Sequence, residues 1–219
     1  MSETSEIARK NMVVNQLRPN KINEEKILKI FENTPKENYL DVSLGKNCYL
    51  DNNLDLIYKR GYLKNLHLAQ IIKYSKILPN DKVLHIGGLT GYFSALISSL
   101  CEELHVVEEN RELFKLLEHN IRNTSTSNIS LFNHNLLDGL VDKSPFNLII
   151  IDGPIFKITD NLKKQLVTNG GRLIYIKKIY DNLGKAYKII RNEDLYSSEY
   201  LFDVMSSYQI QEQKEDFKF

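Results

Sequence analysis

The chain has 219 residues, 42% of them hydrophobic, and 29 Lys+Arg against 28 Asp+Glu give a net charge of +1. That length suits one domain with a sizeable core, and the charge balance leaves no global electrostatic footprint for nucleic acid or a membrane surface. Two distant cysteines, Cys48 and Cys101, a polar opening without a signal-peptide pattern, and apolar runs far too short to span a bilayer predict a soluble cytoplasmic protein without a disulfide framework.

Residues 3–18 read as a helix. Asn23 is placed to cap a second one over residues 24–33, with Ile27, Ile30 and Phe31 as its apolar stripe and Pro35 as its stop. Residues 36–63 lack periodicity and are expected to wrap over the core. Residues 65–77 carry Leu66, Ala69, Ile72 and Ile77 at helical spacing, and Pro79-Asn80-Asp81 then turns the chain. From there strands and helices alternate. Strands are predicted at 82–86, 103–108, 129–133, 146–151 and 172–176, and helices at 92–100, 111–122 and 158–166. This order means a doubly wound α/β sheet. Two further strands at 185–190 and 200–205, with no helix between them, fit an antiparallel pair on one edge of a mostly parallel sheet. The domain reading is a helical N-terminal addition, residues 1–64, packed on a core domain, residues 65–219, as one compact unit. No internal repeat, low-complexity segment or linker interrupts it.

The most informative stretch is Val83-Leu84-His85-Ile86-Gly87-Gly88-Leu89-Thr90-Gly91-Tyr92, with Glu108 ending the next strand. Parallel sheets bind ligands at the carboxyl ends of their strands. Glycines there let the backbone approach a ligand closely. A carboxylate about 20 residues on can accept both hydroxyls of a ribose. Glu109 is the competing carboxylate. A dinucleotide pattern starting at Gly87 would need glycine at positions 89 and 92, which hold Leu89 and Tyr92. The strand–GGLTGY–helix–strand–Glu order instead resembles the first motif of S-adenosylmethionine-dependent methyltransferases, giving a Rossmann-like fold. An ordinary βα turn, with glycines for geometry alone, is the bland alternative.

Other motifs narrow the family. Residues 8–19 (ARKNMVVNQLRP), Phe31 with Pro35-Lys36-Glu37-Asn38-Tyr39, Tyr49-Leu50-Asp51-Asn52-Asn53-Leu54, Pro145-Phe146-Asn147-Leu148, and Gln165-Leu166 with Gly170-Gly171-Arg172-Leu173 occur in order. Together with Phe202-Asp203 and the ending Phe217-Lys218-Phe219 they resemble the protein-L-isoaspartate O-methyltransferases, in particular divergent, alphaproteobacterial-type members. The resemblance implies S-adenosylmethionine as cofactor. It implies methyl esterification of isoaspartyl or D-aspartyl residues in damaged proteins, a protein-repair reaction. The implied cofactor side is His85, Gly87, Gly88, Leu89, Thr90, Gly91, Tyr92, Glu108, Asn135 and Leu136. The implied substrate side is Leu63, Lys64, Asn65, His67 and Asp152. The chain departs from the family pattern at His85, at Leu89, and in residues 60–67. There RGYLKNLH contains neither the Ser nor the Pro of the Ser-x-Pro segment that holds the substrate.

The reaction itself asks for little acid–base help. An Asp-like carboxylate, with a pKa of about 4, is already ionised at neutral pH. No conventional catalytic dyad is therefore assigned. The histidines and cysteines show no paired metal-ligand spacing, so no metal site is predicted. His85 is expected as a buried histidine satisfied by backbone, and Asp152-Gly153-Pro154 as a turn. Lys163-Lys164 and Lys177-Lys178 read as solvated basic faces, and the twelve tyrosines show no stacking platform for RNA. Two alternatives to the repair enzyme remain: a catalytically degenerate binding or regulatory protein on the same fold, and a methyltransferase with a different acceptor.

Overall fold

The computed structural model describes residues 3–57, 59–124 and 126–210, so the ending at residues 217–219 lies outside it. The helices are α1 (Glu3–Met12), α2 (Glu25–Asn33), α3 (Val42–Gly45), α4 (Asn65–Ser75), α5 (Tyr92–Ser98), α6 (Arg111–Arg122) and α7 (Asp160–Lys164). A short antiparallel hairpin, β1 (Leu54–Ile57) and β2 (Arg60–Tyr62), stands apart from the main sheet. That sheet comprises β3 (Lys82–Ile86), β4 (Glu103–Val107), β5 (Ile129–Phe132), β6 (Leu148–Ile155), β7 (Asn169–Tyr180), β8 (Leu183–Asn192) and β9 (Leu195–Met205). Its spatial order is β5-β4-β3-β6-β7-β8-β9. The first five strands of this order pair in parallel, and β8 and β9 add an antiparallel edge. The α/β architecture is the doubly wound one predicted, with helices flanking the sheet.

The central strands explain the pattern. All residues from Leu148 to Asp152 are buried, as a parallel strand covered on both faces requires. One face carries a core running from Met12 to Tyr208, so the N-terminal helices and the sheet share apolar contacts. Phe31, Tyr39 and Tyr62 surround the Tyr92 ring at centroid distances of 6.5, 5.8 and 5.9 Å.

Several boundaries differ from expectation. The first helix gives way to a π-turn at Val13–Leu17 and a 3-10 turn at Arg18–Asn20, with Pro19 at its start. Asn23 does not cap α2. Glu24 takes the cap position, and its carboxylate accepts from the Asn23 backbone N–H. Residues 36–63 hold α3 and the hairpin rather than an irregular wrap. Asp152-Gly153-Pro154 is not a turn but the bulged end of β6, where the register to β7 shifts between Ile150 and Pro154. Three tyrosines do line up, Tyr175, Tyr187 and Tyr200, across β7, β8 and β9. Among the described residues no helix is long and apolar enough to cross a membrane.

Candidate functional site

The sheet changes direction of progression at β3, which has β4 on one side and β6 on the other. A doubly wound sheet places its ligand cleft at that point, outside the carboxyl ends of the strands. Three predicted residues meet there. Gly87 follows β3, Glu108 follows β4, and Asp152 sits on β6.

The loop after β3 is shaped by backbone demands. The N–H groups of Gly87 and Gly88 both donate to Val107 O, at 2.9 and 3.1 Å, folding the loop across the end of β4. Gly87 and Gly91 have φ of 96° and 101°, a region that favours glycine. At Gly88 an added Cβ would lie 2.7 Å from Val106 and 2.8 Å from Leu117, so glycine permits the close helix–strand approach. Leu89 also has a positive φ, 50°, yet carries a buried side chain that joins the main core.

Glu108 is fully buried and fully engaged. Its Oε2 accepts from Arg60 Nη2 at 2.7 Å and from Leu89 N at 2.9 Å, and its Oε1 accepts from Asn110 N at 3.0 Å. The Arg60 side chain is 11% exposed and Glu108 0%, so this is a desolvated ion pair. Arg60 was not singled out in the sequence, although it lies in the segment that lacks Ser and Pro. Glu109, the competing carboxylate, is exposed and accepts from Leu136 N.

The residues after β9 complete the enclosure. Tyr208 Oη donates to Asp55 on β1 at 2.6 Å, Gln209 N donates to Lys59 O, and Ile210 N donates to Pro154 O. Lys178 Nζ donates to Asp181 O, Ser207 O and Tyr208 O, each at 3.1 Å. Lys178 is thus a buried anchor and not part of a solvated face. Two glycines make room for this segment. A Cβ at Gly61 would lie 2.7 Å from the Tyr208 ring, and one at Gly153 would lie 2.7 Å from Ile210.

What remains between Arg60, Gly87, Leu89, Asp152, Tyr208 and Ile210 is a cavity of about 10 Å³. That holds at most one water, whereas a small-molecule pocket needs about 300 Å³ or more. With Glu108 satisfied at both oxygens, the residues as placed do not fit a nucleoside. An open groove of about 890 Å³ borders the cleft through Gln209, lined by Lys59, Phe156, Tyr180, Asp181 and Met205.

The other predicted residues stand apart from the cavity. His85 is fully buried, and the hydrogen bond its ring makes goes to a side chain rather than to backbone. Its Nδ1 bonds Ser94 Oγ at 2.8 Å, and its Nε2 lies 3.3 Å from Asp152 Oδ1 without hydrogen-bond alignment. Thr90 Oγ1 bonds Tyr62 Oη, and that same hydroxyl accepts the N–H groups of Thr90 and Tyr92 at the start of α5. Tyr92 is a core residue. Asn135 is exposed, and Leu136 belongs to the core on the opposite face of the sheet. Leu63 is buried in the main core. Lys64 pairs with Asp51, Asn65 accepts from the buried Lys36, and the His67 ring stacks on Phe202. Of the five substrate-side residues, only Asp152 reaches the cleft.

Four similarities accompany this geometry. The family model described as protein-L-isoaspartate(D-aspartate) O-methyltransferase matches residues 8–204. A protein-L-isoaspartate O-methyltransferase of Shewanella woodyi is 28% identical over 199 residues, covering 91% of this chain and 92% of that one. One of Koribacter versatilis is 28% identical over 166 residues, covering 76% and 74%. A solved structure titled protein-L-isoaspartate O-methyltransferase superposes with a TM-score of 0.77 at 18% identity. It covers 91% of this chain and 65% of that one, and so supports the fold.

Proposed function

Because the chain belongs to the protein-L-isoaspartate(D-aspartate) O-methyltransferase family, we propose that it methylates isoaspartyl and D-aspartyl carboxyls of damaged proteins. S-adenosylmethionine is the methyl donor of this family. The observation that carries the reading is the family match over residues 8–204, on a sheet whose switch point gathers Gly87, Glu108 and Asp152. On this reading Gly87, Gly88, Leu89 and Glu108 form the cofactor side of the cleft and Asp152 the acceptor side. The bordering groove at Lys59, Tyr180 and Met205 receives the peptide. The described residues of segment 1–64, helices α1 to α3 and the hairpin, form an addition to a methyltransferase domain at 65–219, and the protein works in the cytoplasm.

The chemistry fits a site without an acid–base dyad. An ionised carboxylate is already a nucleophile, so alignment and exclusion of water supply the rate. The test is methyl transfer from radiolabelled S-adenosylmethionine to an isoaspartyl peptide, read as a base-labile ester, with the aspartyl peptide as control. Labelling of the isoaspartyl peptide alone is the expected result. Turnover should be low, because residues 60–67 lack the Ser-x-Pro segment. No labelling of either peptide would favour a second reading, a non-catalytic binding protein. The observation behind that reading is the filled cleft.

A further inference from the structure

We propose that the cleft carries its own latch. The Arg60 guanidinium holds the place of the ribose hydroxyls on Glu108, residues 206–210 close over it, and S-adenosylmethionine enters only when both withdraw. This deepens the proposed function and rests on the cleft being the cofactor site.

Three independent features make the closed state a built one. First, Arg60 and Glu108 form a buried pair at 2.7 Å, and the remaining Glu108 bonds go to the backbone of Leu89 and Asn110. Both acceptor positions of Oε2 are taken, and Oε1 already holds the Asn110 N–H, so a diol would have to displace the guanidinium. Second, the closing segment is tied down at separate points, by Tyr208 to Asp55, by Ile210 to Pro154, and by Lys178 to two of its carbonyls. Third, Gly153 lacks a side chain where Ile210 packs, within 3 Å of a hypothetical Cβ. At Gly61 a Cβ would meet the Leu54 backbone oxygen at 2.3 Å before it met the Tyr208 ring at 2.7 Å, so the hairpin demands glycine there and Tyr208 fills the space this leaves.

The physical consequence is a tax on affinity. When only a fraction of molecules is open, the apparent dissociation constant rises by the inverse of that fraction. Loosening the latch must therefore tighten binding. Two variants separate the parts. Arg60→Gln removes the guanidinium while keeping a donor for Glu108. Ile210→Ala thins the strap at residues 206–210 without touching the ion pair, and so keeps the test available if Arg60→Gln fails to fold. Titration calorimetry with S-adenosylmethionine on the full chain, alongside thermal unfolding of each variant, gives the readout. The expected result is at least about tenfold tighter binding in each folded variant. Equal affinity in wild type and variants would overturn the latch while leaving the cofactor site in place. No binding in wild type or in either folded variant would overturn the latch together with the cofactor reading, and labelling of an isoaspartyl peptide would then be absent too.

Discussion

Leu89 has a side chain that packs and a backbone that is strained. Its φ of 50° costs an L-residue roughly 1–2 kcal/mol relative to glycine, whereas removing a buried leucine side chain costs about 2–5 kcal/mol. Leu89 is 4% exposed and sits in the main core, so packing wins. Leu89→Gly should lower unfolding free energy by about 1–4 kcal/mol in urea titrations. A variant as stable as wild type would show that relief of strain cancels the lost contacts. At this scale the sequence was half legible. The place of Glu108 beside the cleft was legible because it follows the second parallel strand, where a doubly wound sheet gathers its ligand site. Arg60, its partner, was not. The two are 48 positions apart, and nothing in a segment without periodicity announces which charge will be desolvated.

The hairpin and the 36–39 turn show how elements form around one another. Lys36 is 1% exposed, with one acceptor, Asn65 Oδ1 at 3.1 Å, and the Tyr62 and Tyr92 rings 5.2 and 5.3 Å from its ammonium. Burial pushes its pKa down to about 8. An unfolded lysine titrates near 10.4, so between these values the unfolded chain binds more protons and stability rises with pH. Below pH 8 both states are charged, and the full cost of burying the ammonium is present. Lys36→Met should therefore stabilise the protein at pH 7 by about 1–3 kcal/mol, less what the cation–π contacts contribute. The advantage should shrink as melting is repeated towards pH 10. A loss of stability at pH 7 would mean that the aromatic faces and Asn65 more than offset desolvation. Short elements such as β1 and β2 were illegible because strands of four and three residues take their shape from contacts with Tyr208 and the α5 turn. The limits of β7 and β8 ran past their apolar stretches because pairing between strands extends beyond the buried core.

Across the whole molecule, one buried histidine should contribute to the loss of stability in acid. His67 is buried against Phe202, its Nδ1 has no hydrogen-bond partner among the described residues, and burial, aided by nearby Lys64, lowers its pKa to about 4. The unfolded value is near 6.5, so its contribution is complete above pH 6.5 and is lost as pH falls towards 4. The slope is about 1.4 kcal/mol per pH unit at most. Comparing wild type with His67→Phe at pH 7 and pH 5 isolates this from the carboxylates; the variant should lose less stability on acidification. Equal losses would remove His67 from the acid response. The doubly wound plan was legible because strands such as β6, buried on both faces, leave uninterrupted apolar runs between helical periods. The strap was not, because its bonds to the hairpin join residues such as Asp55 and Tyr208 from opposite ends of the chain.

That separation has a consequence during synthesis. Arg60, Gly87, Glu108 and Gly153 leave the ribosome before Ser206 does, but a domain folds as a unit. The floor of the cleft, made early, is not finished until β7, β8, β9 and residues 206–210 have emerged and docked on it. A folded chain must then let its occupant in by undoing the closure.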